Sequence, residues 1–225
     1  MQRMFTALNS NYTEAIEKNT GQFSRILLEL NTIENFKEIL ENEKIKNVLN
    51  EVFHDLISSV YMASNGMYRN AYICLRSAIE LALSLLYFMD HNYDFLLWQK
   101  NNYDVKWSVL NNNEVGVLSN KYLNLFVDGI DFSEFIKKVE LVYHSCSEYV
   151  HGKYEFMQTN FMNMPIKYDE ENFKKWGDCW IEEVKMINVL FSIRLNNNIK
   201  NLKSETIRQL KEDAIDMDLR GLINE

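Results

Sequence analysis

The sequence predicts an all-α helical bundle forming one domain, and three observations carry that reading. One proline and seven glycines stand in 225 residues, too few chain breakers for the many turns of a sandwich or barrel. Hydrophobic residues make up 47% and aromatic residues 13%, enough for a sizeable core and against low-hydrophobicity disorder. Apolar residues return every three or four positions along most of the chain, the period of a helix with one buried face.

Residues 12–41 show that period at Phe23, Ile26, Leu27, Leu30, Ile33, Phe36 and Leu40. Residues 45–64 repeat it at Ile45, Val48, Leu49, Val52, Phe53, Leu56, Ile57 and Val60. The stretch "SNGMY" at 64–68 is a tight connection with Gly66 as its left-handed residue. A helix over 68–89 is apolar on nearly every side and is expected at the centre. Arg76 and Glu80 inside it are expensive in lipid, so it reads as a bundle helix rather than a membrane span. Residues 90–116 are irregular, polar and aromatic, with a short helix near 93–100 and then a loop. A further short helix fits 118–126. Asp131 or Ser133 caps a helix that runs to Val150, where Gly152 is a plausible stop. A loop over 153–168, ending near Pro165, leads to a long helix at about 170–196, whose stripe of Phe173, Trp176, Trp180 and Phe191 reads as core. A charged helix over 199–215 follows.

The net charge of −8 removes any general attraction to nucleic acid and leaves room only for a local basic patch. Cys74, Cys146 and Cys179 are odd in number and widely spaced, which suits free thiols in a cytoplasmic protein. The first residues lack the apolar run of a signal peptide. No phosphate-binding glycine loop or nucleotide fingerprint is present, and no cofactor is expected.

Chemistry concentrates in "YHSCSEYVHGKY" at 143–154. On a helix, His144 and His151 lie about 20° apart in azimuth, with Glu148 between them. Tyr143, Ser147 and His151 follow a second line at four-residue spacing. A helix C-terminus favours cations, and an imidazole near its titration midpoint gives and takes protons. The plainer reading is a helix end whose side chains cap it and meet solvent. A metal site is not expected, because His144 and Cys146 point to different sides and the histidines lack the four-residue spacing of a helical ligand pair. In the preceding apolar helix, Arg69, Arg76 and Glu80 share a stripe at spacings of seven and four. Arg76 needs a partner there. Either Glu80 supplies it in an internal ion pair, or the two form a polar notch facing another helix end.

The segments "YRNAYICLRSAIELALSLLYF" and "LVYHSCSEYVHG", joined through the aromatic loop "DFLLWQKNNYDVKW", resemble the HEPN superfamily of prokaryotic helical proteins, found in phage-defence and toxin–antitoxin systems. The resemblance covers roughly residues 45–195. It divides the chain into an N-terminal helical segment (1–44), a HEPN-like core (45–198) and a C-terminal helix with its tail (199–225). It implies a bundle that homodimerises, and in many members a metal-independent ribonuclease built on an Arg and, four to six residues later, a His near a helix end. That His maps to His151. The Arg position falls on His144 at one spacing and Cys146 at the other, and neither is arginine.

Two functions follow. One is a non-catalytic module that binds protein, nucleotide or RNA. The other is a ribonuclease with His151 as general acid/base, His144 assisting and Arg76 stabilising the anion. Arg69, Glu80, Tyr143, Ser147, Glu148 and Lys153 complete the binding candidates.

Overall fold

A computed structural model describes residues 2–154 and 166–223, so the segment around Pro165 lies outside the described residues. The described residues form helices joined by turns, with no strand among them. In chain order these are α1 (Gln2–Lys18), α2 (Thr20–Asn35), α3 (Glu43–Ser64), α4 (Tyr68–Asp90), α5 (Asn92–Trp98), α6 (Trp107–Leu110), α7 (Asn120–Leu123), α8 (Ser133–Val150), α9 (Glu170–Arg194) and α10 (Ser204–Asp216). The all-α bundle read from the sequence is thus the observed architecture.

Local chemistry sets the helix starts. Asn42 Oδ1 accepts from the backbone N–H groups of Lys44 (2.9 Å) and Ile45 (3.4 Å), so α3 begins there. Asp169 Oδ1 accepts from Asn172 N at 2.8 Å, and Glu170 and Glu171 add negative charge to the first turn of α9. Asp131 Oδ1 accepts from Ser133 N at 3.0 Å at the start of α8. Between α3 and α4, Gly66 takes φ +80° while Met67 N–H reaches back to Met62 O at 2.9 Å. A side chain at Gly66 would also run into the backbone of Lys167.

The core lies between α3, α4 and α9. Trp176 Nε1 donates to Ser59 Oγ at 3.0 Å, Ser59 Oγ donates to Ala71 O at 2.9 Å, and Trp180 Nε1 donates to Leu56 O at 3.2 Å. Each buried indole therefore finds an acceptor on α3, as a buried Trp requires. Phe173 and Phe191 are buried with them, so the expected aromatic stripe is core. Of the described helices only α4 is long and apolar enough to cross a membrane. It packs against α3, α8 and α9.

The periodicity over 12–41 resolves into two helices, broken at Asn19, with α2 giving way to a 3-10 turn at Phe36–Glu38. Leu27 and Ile57, assigned to inward faces by spacing, point outward instead. The aromatic loop holds an unforeseen turn of helix, α6, whose Leu110 is buried.

Candidate functional site

The site is built where α4 runs antiparallel to α8. Arg69, near the start of α4, donates through Nε to Tyr149 O (3.0 Å) and through Nη2 to Val150 O (3.5 Å), supplying charge to the last carbonyls of α8. One turn on, Tyr72 stacks on Tyr149 with centroids 3.9 Å apart. Arg76 follows. Its Nε donates to Ser147 Oγ at 2.7 Å, Nη2 donates to Tyr143 Oη, and Nη1 pairs with the Glu80 carboxylate. Its guanidinium carbon also stands 3.7 Å from the Tyr143 ring centroid.

Arg76 pairs with Glu80, as the four-residue spacing suggested, and it also bonds to Ser147 and Tyr143 on α8. Tyr143 is the hub, with Trp107 of α6 stacked on its ring at 3.3 Å and 10°. Burial pushes the Tyr143 phenol up to about 12 against the opposing pull of Arg76, so it stays a neutral donor and acceptor at physiological pH. Its hydroxyl lies 3.4 Å from Glu80 Oε1. Ser147 Oγ, held by Arg76, donates in turn to Tyr143 O at 2.8 Å. Trp107 is the participant that sequence reasoning missed. It sits in a stretch without periodicity, and only its aromatic character marked it.

The histidines are placed differently from the helical-wheel expectation. His144 is exposed, edge-on to Trp107 (6.2 Å) and Tyr143 (5.5 Å). It lines an open cleft of about 620 Å³ together with Glu148, Tyr149 and Cys179. His151 lies past the last turn as the C-cap. Its backbone N–H donates to Ser147 O at 3.0 Å, while its ring is exposed and bonds to none of the described residues. No contact joins the two imidazoles, and Glu148 pairs with Lys153 instead of bridging them. The two histidines and the carboxylate make no mutual contact, since both imidazoles are exposed and Glu148 is drawn to Lys153. Tyr143 and Ser147 turn inward to Arg76, as their common line allowed.

The chain matches no known family model, no curated protein and no solved structure.

Among the described residues no group of His, Cys, Asp and Glu has the geometry of a metal site. The chain turn after α8 is shaped by Arg69. Gly152 adopts φ +61°, and a Cβ there would stand 3.1 Å from Arg69 Nη2. Gly152→Ala should therefore lower stability by about 1–2 kcal/mol, measurable by urea denaturation, from the left-handed conformation and the displaced guanidinium.

Proposed function

We propose that this chain is a HEPN-like helical module of a prokaryotic phage-defence or toxin–antitoxin system that works by binding a protein partner rather than by cleaving RNA. The observation that carries this reading is the engagement of Arg76. A guanidinium engaged by Glu80, Ser147 and Tyr143, on a side chain only 17% exposed, is poorly presented to a scissile phosphate. The acidic net charge of −8 weighs the same way, since it repels a polyanion.

A protein partner is supported by an apolar groove of about 460 Å³ between α1, α2 and α3, lined by Tyr12, Ile16, Leu27, Ile57 and Tyr61. Leu27 is 66% exposed and Tyr61 57%. Clustered exposure of large apolar side chains marks interaction surfaces. A second copy of the chain is the simplest occupant, because a two-fold contact lets each groove cover the other.

Light scattering at micromolar concentration tests this. A dimeric wild type and a monomeric Leu27→Glu variant of unchanged helicity are expected. A second reading, the metal-independent ribonuclease, is favoured by the exposure of both His144 and His151 beside the arginines of α4. Single-stranded RNA in EDTA separates the two. No cleavage is expected, whereas cleavage by wild type that His151→Ala abolishes would replace the binding reading with the nuclease.

A further inference from the structure

Beneath the cleft that His144 lines, α8 and α9 bring two thiols together. Cys146 Sγ lies 4.0 Å from Cys179 Sγ. Cys146 is fully buried, and Cys179 is half-buried in the lining of the cleft. Cys74 has no thiol partner among the described residues. The dithiol has an unusual neighbour in Glu183, a fully buried side chain on α9. Its Oε2 accepts from Cys146 Sγ at 3.8 Å, and its Oε1 has no hydrogen-bond partner among the described residues. A fully buried carboxyl is costly to keep as an anion, and it stands where the thiols meet.

We propose that Cys146 and Cys179 form a reversible disulfide in response to a hydroperoxide that enters the cleft, with Cys179 the reacting thiol and Cys146 the resolving one. The assignment follows from access. Only Cys179 reaches the cleft, and a half-buried thiol at its wall admits a small hydroperoxide more readily than a protein disulfide. In the first step Cys179 sulfur takes the terminal oxygen of the hydroperoxide. The O–O bond breaks, the sulfur is oxidised by two electrons to a sulfenic acid, and the thiol proton leaves with the departing alcohol or water. In the second, Cys146 sulfur attacks Cys179 sulfur, the S–S bond forms and the S–O bond breaks.

Glu183 manages the protons of the second step. Burial first, and the Cys179 thiol second, hold its carboxyl well above the usual carboxylate range, so it enters protonated. It gives that proton to the leaving hydroxide and takes up the one from Cys146. The sum is two thiols and one hydroperoxide giving a disulfide, an alcohol or water, and one further water. The two sulfurs must close from 4.0 Å to a bond of about 2.05 Å.

The test uses the full-length chain and hydrogen peroxide. After exposure, the protein is denatured, alkylated, digested and mapped by mass spectrometry. The expected product is one crosslink joining the Cys146 and Cys179 peptides, reversed by dithiothreitol, with Cys74 alkylated throughout. In Cys146→Ser, dimedone should label Cys179 as a trapped sulfenic acid. In Glu183→Gln, crosslinking should slow by roughly tenfold or more while dimedone labelling of Cys179 keeps its rate, and equal crosslinking rates would remove Glu183 from the step. A wild type that leaves both thiols alkylatable, or oxidises at Cys74 first, would overturn the proposal. If either variant fails to fold by circular dichroism, the wild-type map decides alone.

Discussion

Arg76→Ala is expected to lower folding stability by about 2–4 kcal/mol, the range for removing one member of a largely buried ionic network. The side chain is 17% exposed and serves three partners on two helices. Its loss leaves the Glu80 carboxylate without a counter-charge and the Ser147 hydroxyl without its donor. It also strips the Tyr143 ring of its cation while Trp107 stays stacked on it. Glu80 is 36% exposed and keeps water, which holds the cost below that of a fully enclosed pair. Chemical denaturation of Arg76→Ala beside Glu80→Gln measures it. Arg76 should be the costlier loss by a clear margin, since Glu80→Gln removes one ionic contact and leaves the bonds from Arg76 to α8 in place. Equal and small effects would show that the notch is held by α4–α8 packing alone.

The second large effect concerns pH. Glu29 on α2 and Asp213 on α10 are both buried. Asn188 Nδ2 lies 3.1 Å from a carboxyl oxygen of each, and Gln209 Nε2 donates to Glu29 at 3.2 Å and Asp213 at 2.9 Å. Burial foremost, and then the facing Asp213, push the Glu29 carboxyl up to about 8, while Lys185 and Arg25 pull the other way. Asp213 is also raised, again by burial first. The pair holds a proton in the folded state that two exposed carboxyls would surrender near pH 4.

A folded-state value raised above the unfolded one gives stability that is fully present below the unfolded value. It is lost as pH climbs through the folded one. The contribution should therefore fall between about pH 4.5 and pH 8, by on the order of a few kcal/mol. Glu29→Gln cannot ionise, so denaturation midpoints measured from pH 5 to pH 9 should decline less steeply in the variant than in the wild type. Parallel curves would mean that the pair stays ionised and is held by Lys185, which lies 4.0 Å from Asp213 Oδ1.

Much of the fold was legible because helical periodicity is a local signal. The turn between α3 and α4 and the end of α8 follow from Gly66 and Gly152, whose turn chemistry is written in the sequence, whereas the Asn42 cap that starts α3 went unread. The exceptions are physical too. Leu27 and Ile57 fit the inward period, yet they line a groove, because periodicity names an apolar stripe without saying whether another element covers it. At the site, the pairing of Arg76 with Glu80 was readable at four-residue spacing. The bonds from Arg76 to Tyr143 and Ser147 depend on how α4 and α8 cross, which no spacing along one helix encodes. Trp107, the Cys146–Cys179 contact and the Glu29–Asp213 pair were hidden for the same reason, each joining residues 33 or more positions apart.

Asn35 Nδ2 donates to Thr206 Oγ1 across 171 positions, and Gln209 reaches Glu29 across 180. During vectorial synthesis on the ribosome, α2 emerges long before the residues that neutralise its polar face. Until α10 is made, Asn35 lacks Thr206 and Glu29 has Asn188 of α9 but not Gln209, so that side of α2 stays partly hydrated. Helix α10 therefore acts as the last closing element against α2, through the buried Thr206, Gln209 and Asp213. Any fragment that stops before α10 leaves that polar side of α2 without its partners.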